Sequence, residues 1–151
     1  MTLQNFEIRQ LNKGDTHLFK KLVELFREVF EDDQPQLADT GQFNPLQRPD
    51  FIAYVILHEH EVIGGLTAYE LANYYSGIPE IFIYDITIKT AYQRKGLGKM
   101  LLREVMKYAS DLGAKEVFVM AHAEDRHAVD FYTKAGGEGE AVVSFTYKPV
   151  K

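Results

Sequence analysis

The chain of 151 residues contains no cysteine. Disulfides, thiolate nucleophiles and cysteine-based metal sites are excluded together. It has no apolar run of the roughly 18 residues a membrane-crossing helix needs. Its first residues, Met1-Thr2-Leu3-Gln4-Asn5-Phe6-Glu7, have neither the basic start nor the apolar core of a secretory leader. These absences lead to the expectation of a cytoplasmic protein with no membrane partner. Internal repeats and low-complexity segments are absent too. Cations are short: 17 Lys and Arg stand against 22 Asp and Glu, a net charge of −5. A general nucleic-acid binder carries the opposite balance. An acidic surface attracts a cationic small substrate at long range, although solubility alone also accounts for a mild excess. With 46% hydrophobic residues the chain can bury a real core, and its length suits one domain spanning 1–151.

The patterning predicts alternating strands and helices. Phe6-Glu7-Ile8-Arg9-Gln10-Leu11 alternates as a half-buried strand does. Asp15 is placed to cap a helix carrying Leu18, Leu22, Leu25, Phe26, Val29 and Phe30 at helical spacing. From Glu31 to Asp50 the chain is polar and holds Pro35, Pro45 and Pro49, the signature of a loop with one short helix. Residues 51–57 and 62–71 read as a hairpin turning at His58-Glu59-His60-Glu61, and a third strand ends at Ile88. A helix from about Gly98 shows Leu101, Leu102, Val105, Met106, Ala109 and Leu112 on one face and stops at Gly113. A buried strand over 116–121, a helix over 125–135 and, over 141–147, a last strand or two short ones with a bend complete the order. A meander followed by strand-helix-strand predicts a mixed sheet with helices on both faces.

The richest stretch is Gln93-Arg94-Lys95-Gly96-Leu97-Gly98, between the strand Ile81-Phe82-Ile83-Tyr84-Asp85-Ile86-Thr87-Ile88 and a helix starting near Lys99. A strand, a glycine loop and a helix N-terminus aim several N–H groups and the positive end of a helix dipole at one spot, as a pyrophosphate cradle requires. Glycines between a strand and a helix are often turn residues only. The flanking Gln and the bases at 94, 95 and 99 add to the pattern. So does a second segment, Asp125-Arg126-His127-Ala128-Val129-Asp130-Phe131-Tyr132, followed by Lys134-Ala135-Gly136.

The loop resembles the acetyl-coenzyme A loop of the GNAT N-acetyltransferase superfamily. The second segment resembles that superfamily's Asn-x-x-Ala-x-x-Leu/Phe-Tyr motif, with Asp125 in place of the usual Asn. The resemblance covers nearly the whole chain. It implies an α/β fold with a mixed, mostly antiparallel sheet of six to seven strands and helices on both faces. It also implies acetyl-coenzyme A as cosubstrate, held by Gln93, Arg94, Lys95, Gly96, Leu97, Gly98 and Lys99. The main chain of Ile86, Thr87 and Ile88 would pair with the pantetheine arm, and an amide near Ile86 would serve as oxyanion donor. Asp125, Ala128 and Phe131 would complete the coenzyme contacts, and Tyr132 would protonate the departing thiolate. A phenol suits that task, because its free pKa lies near that of a thiol.

The strand narrows the likeness. Glu80-Ile81-Phe82-Ile83-Tyr84-Asp85-Ile86 is similar to the corresponding strand of type I aminoglycoside 3-N-acetyltransferases, as is Leu25-Phe26-Arg27-Glu28-Val29-Phe30 to their first helix. Their acidic residues in the last strand are absent; Ser144-Phe145-Thr146-Tyr147-Lys148 stands there. Glu80 and Asp85 are the candidates for activating the amine, since a carboxylate inside a buried strand is costly unless paired or used. Both also fit a purely structural role. Asp32, Asp33, Tyr84 and His122 are candidates for contacting the substrate, with His127 nearby. Tyr74 and Tyr75 are loop aromatics able to stack on a sugar. His58 and His60 lack the further ligands a metal needs, so no metal is expected.

The reading is an N-acetyltransferase acting on a cationic small molecule, foremost an aminoglycoside at its 3-N position, with no nucleic-acid or membrane partner; a homodimer is compatible with it. A polyamine, amino-acid or peptide acetyltransferase is the rival enzyme. A non-catalytic acyl-coenzyme A sensor is the rival of another class.

Overall fold

A computed structural model describes residues 5–31 and 44–150. The chain forms two compact units, Met1–Met120 and Ala121–Lys151.

In the first unit the elements run β1 (Phe6–Gln10), α1 (Thr16–Phe30), β2 (Phe51–His58), β3 (Glu61–Ala72), β4 (Pro79–Ile88), α2 (Leu97–Leu112) and β5 (Val117–Val119). The strands form one sheet in chain order, antiparallel from β1 to β4 and parallel between β4 and β5. Neighbouring β2 residues belong to different cores, as the period of two demands. Ile52, Tyr54 and Ile56 join Leu97, Leu101, Val105 and Ala109 of α2. Ala53, Val55 and Leu57 join Phe19, Leu22, Leu25 and Phe26 of α1. The two helices therefore cover opposite faces of the sheet.

Local chemistry explains most boundaries. The hairpin between β2 and β3 turns on Glu59 (φ 50°) and His60 (φ 68°), both left-handed, which suits the right-handed twist of the flanking strands. Gly113, at φ 77°, closes α2 by donating to the carbonyls of Ala109 and Ser110. Asp15 stands at the start of α1 but does not cap it with its side chain. Its Oδ2 instead accepts from the Asn12 amide at 2.8 Å, tightening the turn before the helix. Phe30, expected on the buried face of α1, is half exposed and stacks on Phe26 at 5.6 Å.

Gly65 lets α1 approach the sheet. A Cβ there would fall 2.3 Å from Leu22 Cδ1 and 2.5 Å from the Tyr54 carbonyl oxygen. Both distances are below contact, so Gly65→Ala is expected to cost about 1–3 kcal/mol through overpacking. Urea unfolding that leaves the midpoint of this variant in place would show that α1 is not seated as described.

The second unit holds α3 (Arg126–Lys134), capped by the Asp125 carboxylate, which accepts from the Ala128 amide at 3.1 Å. The strand expected over 141–147 is not formed, and the sheet has five strands rather than six or seven among the described residues. A strand exists only with a ladder partner, and the second unit by itself supplies none to this segment. Most of the loop expected between 31 and 50, where one short helix was anticipated, lies outside the described residues; those described include a 3₁₀ turn at Pro45–Gln47.

Candidate functional site

β4 is the backbone of the site. It pairs with β3 along its whole length, but with β5 only at Ile81, Ile83 and, between them, Phe82. From Tyr84 onward its far edge has no strand partner among the described residues. Lys89 N–H donates back to the Ile63 carbonyl at 2.7 Å, toward β3. Backbone groups alternate in direction along a strand, so the amides of Ile88 and Ile86 point to the open edge. That edge can take a main-chain partner of another molecule, such as an extended amide-bearing arm. Thr87, between them, is buried opposite Gly65.

The strand runs through Lys89–Tyr92 into the glycine loop. Gln93 folds back, donating from Nε2 to the Ile88 carbonyl at 2.9 Å, and so anchors the loop to the strand end. Arg94 (φ 62°) and Gly96 (φ 81°) are left-handed and swing the chain into α2, whose first turn carries Gly98 and Lys99. No side chain caps this helix. Among the described residues no side chain takes up the amides of Gly96, Leu97, Gly98 and Lys99, which open the helix. Successive free amides at a helix N-terminus form an anion nest. Lys95, Arg94 and Lys99 add exposed positive charge around it. The residues present therefore fit a pyrophosphate.

Asp85 lies opposite Thr67, where the pairing of β3 and β4 slips by one residue and Tyr84 bulges outward. Its carboxylate is half buried, and burial raises its pKa above the ordinary value of 3.8. It has no hydrogen-bond or ion-pair partner among the described residues. Glu80, the other candidate, accepts from Asn73 Nδ2 at 3.3 Å. Asn73 also holds the β3–β4 turn, accepting from the amides of Tyr75 and Ser76. Glu80 thus steadies a turn, whereas Asp85 is left over.

Beside Asp85 runs a row of rings that the sequence reading missed. Phe51 meets Tyr69 at 5.2 Å, Tyr69 meets Tyr84 at 5.8 Å, and Tyr84 meets Phe82 at 5.9 Å. Phe82 stacks on Phe118 of β5 at 5.0 Å. Burial and the neighbouring Tyr84 raise the Tyr69 phenol, with Asp50 and Asp85 pushing the same way and Arg48 opposing them. Alternation along β4 could have paired Phe82 with Tyr84. Bringing Tyr69 and Phe118 beside them requires the strand register, which no single segment encodes. Rings edged by a carboxylate suit a cation carried on an apolar or sugar skeleton.

At the C-terminal end of β4 a depression of about 420 Å³ is lined by Glu28, Val29, Glu31, Lys89, Thr90 and Ala91. Lys89 is held by Glu61 at 2.6 Å. Asp32 and Asp33 lie outside the described residues.

The remaining candidates belong to the second unit. Tyr132 and Phe131 lie half-buried on α3 with their rings 5.1 Å apart. Ala128 is partly buried, and His122 and His127 are exposed. Asp125 caps α3, so the side-chain oxygen expected to meet the coenzyme already accepts a hydrogen bond. Among the described residues no group of three or more His, Asp or Glu side chains could hold a metal ion. His58 instead stacks on Phe6 at 4.8 Å. No described helix is long and apolar enough to cross a membrane.

Comparison with known proteins bears on this geometry. The model of the acetyltransferase (GNAT) family matches residues 17–137. The aminoglycoside acetyltransferase meta-AAC0020 from an uncultured soil metagenomic sample, solved in complex with sisomicin, is 33% identical, with 97% of each chain covered and a TM-score of 0.88. The aminoglycoside acetyltransferase HMB0005, also from an uncultured soil metagenomic sample, is 31% identical over 100% of both chains, with a TM-score of 0.86. The aminoglycoside N-acetyltransferase AAC(6')-Iy in complex with CoA shares the fold at 20% identity, covering 99% of this chain and 100% of its own, with a TM-score of 0.79.

Proposed function

Since the chain belongs to the acetyltransferase (GNAT) family, we propose that residues 1–151 act as one domain that transfers an acetyl group from acetyl-coenzyme A to an amine of an aminoglycoside. The observation that carries this reading is Asp85, a half-buried carboxylate with no partner among the described residues, on a strand that leads into the anion nest. Two solved relatives above 30% identity are both aminoglycoside acetyltransferases, which supports the substrate class. The strand Glu80–Ile86 favours the 3-N amine through its likeness to the type I 3-N enzymes.

Each residue then has one task. The amides of the 94–99 loop hold the pyrophosphate, and the open edge of β4 at Ile86 and Ile88 holds the pantetheine arm. The Ile86 amide faces the thioester oxygen as negative charge grows there. Asp85 takes the proton from the ammonium, so that the amine attacks as a free base. The ring row formed by Tyr69, Tyr84 and Phe82 supports the sugar that carries it. The second motif assigns the proton for the departing thiolate to the Tyr132 hydroxyl. Attack on the thioester is direct, and the chain has no thiolate to carry an acyl-enzyme.

Tyr132→Phe removes that proton source. Turnover is expected to fall roughly 10²-fold, with coenzyme affinity little changed, as for loss of a general acid. Near-normal turnover would leave Tyr132 as a packing residue only.

The substrate is tested by thiol release with sisomicin, spermidine and a simple peptide amine, with the acetylated position assigned by NMR. Efficient turnover of sisomicin modified at its 3-amine is expected. Turnover of the polyamine or peptide alone would reject the aminoglycoside; acetylation at another amine would reject the regiochemistry. Binding of acetyl-coenzyme A with no turnover of any amine would favour the sensor reading.

A further inference from the structure

The loop that carries the amide nest is held in a costly conformation. Arg94 has φ 62° although it bears a Cβ, and Gly96 follows at φ 81°. A left-handed residue other than glycine persists only where its surroundings over-determine it. On one side the restraint is Leu97, 1% exposed in the core beneath α2. On the other side it is Tyr92, two residues before Arg94, at the end of the 3₁₀ turn Thr90–Tyr92.

The Tyr92 ring meets Phe6 of β1 edge-on at 6.0 Å and His58 of β2 at 5.5 Å. Phe6 and His58 are direct cross-strand partners, with their rings 4.8 Å apart. His58 Nδ1 lies 3.3 Å from the Asn5 carbonyl oxygen, which fixes the imidazole plane. Phe6 and Tyr92 both pack against the core that α2 covers. Rings from three separate segments thus meet at the entry to the loop. Neither amine activation nor substrate contact uses them.

We propose that Tyr92 is a positioning residue for the coenzyme, clamped by Phe6 and His58 so that the strained loop 93–96 presents its amides to the pyrophosphate. The inference rests on the reading of that loop as the pyrophosphate holder. Donors must stand within roughly 0.5 Å of their productive positions, which takes support from packed neighbours. A loop released at Tyr92 can relax Arg94 to an ordinary φ and turn its amides away. Binding must then restore the strained form, and the apparent dissociation constant rises as the competent fraction falls. The clamp sets affinity for the coenzyme and leaves the proton transfer at Asp85 alone.

Calorimetry with acetyl-coenzyme A on the full chain tests this. Tyr92→Ala is expected to raise the dissociation constant roughly tenfold, whereas Tyr92→Phe, which keeps the ring contacts, should stay near the parent value. His58→Ala, at a partly exposed position, should raise it several-fold in the parent. In the Tyr92→Ala background it should add nothing, because both changes act through one clamp. In turnover, KM for the coenzyme should rise while kcat at saturating coenzyme and KM for the amine hold. Leu25→Ala, which opens a cavity in the other core beneath α1, is the control for stability. It should lower the melting temperature and leave coenzyme affinity in place. An equal loss of affinity in Leu25→Ala would reduce Tyr92 to ordinary packing and overturn the proposal. So would parent-like affinity in folded Tyr92→Ala, or a Tyr92→Phe as weak as Tyr92→Ala, which would make the hydroxyl a direct ligand. If Tyr92→Ala does not fold, parent-like affinity in His58→Ala overturns it. A parent chain that binds no acetyl-coenzyme A would remove the pyrophosphate site itself, and the clamp with it, a result distinct from binding that ignores the clamp.

Discussion

Asp85→Asn is expected to reduce turnover by roughly 10²- to 10⁴-fold, the range for a lost general base. Asn keeps the shape of the side chain but cannot accept a proton from an ammonium. Coenzyme affinity should be nearly unchanged, because the pyrophosphate nest lies beyond the end of the strand. The stability effect has the opposite sign. Burial raises the Asp85 pKa above 3.8, so the folded state holds this proton more tightly than the unfolded chain does. Stability is therefore lost as pH climbs from the unfolded value through the raised folded one, and the loss is complete above it. Asn carries no such charge, so at neutral pH the variant should melt no lower than the parent. The acidic limb that Asp85 gives to the pH profile of kcat/KM should lie on the high side of the ordinary aspartate value and vanish in the variant, leaving the limb of the substrate amine. A variant that melts early and loses coenzyme binding would mark Asp85 as a structural group. Glu80→Gln is the companion measurement. Its carboxylate is occupied by Asn73, and a loss of turnover as deep as that of Asp85→Asn would move the base to position 80.

How much of this was legible in the sequence follows from the range over which each signal acts. The order of the first eight elements could be read because each rests on a local signal: alternation along Phe6–Leu11, an unbroken apolar run along Phe51–Leu57, and a period of 3.6 along Leu101–Leu112. Gly113 could be read as a helix stop because its left-handed conformation is a property of one residue. The cradle was legible for the same reason, as glycines, bases and a following helix are all neighbours in the chain. The ring row was not. Tyr69, Tyr84 and Phe118 meet only through the register of three strands, including a bulge at Tyr84 that shifts which side chains share a face. The choice between Glu80 and Asp85 was open because both are acidic residues in one strand. The placement of Asn73 beside Glu80 and the burial of Asp85 set them apart, and both depend on the fold. The segment 141–147 was read as one strand or two short ones, but no segment carries within itself the partner that a ladder needs.

The coenzyme nest makes the other large expectation. Gly98 occupies the first turn of α2, where the amides of residues 97–99 converge with those of the loop. A bulky side chain there would stand where the pyrophosphate must approach the backbone. Gly98→Trp is expected to raise the dissociation constant of acetyl-coenzyme A roughly 10²-fold, equivalent to about 2.7 kcal/mol, through steric exclusion and the hydrogen bonds thereby lost. Folding should suffer little, because Gly98 has helical geometry and most residues favour a helix over glycine. Gly96→Ala tests a different property of the same loop. Its φ of 81° penalises any L-residue by about 1 kcal/mol, yet a Cβ at that position would meet nothing within 4 Å. The Ala variant should therefore lose stability while the fraction that is folded binds coenzyme almost normally. Calorimetry on both variants, with melting curves alongside, separates exclusion from strain. Unchanged affinity in folded Gly98→Trp would remove the pyrophosphate from this loop, and with it the assignment of β4's open edge to the pantetheine arm.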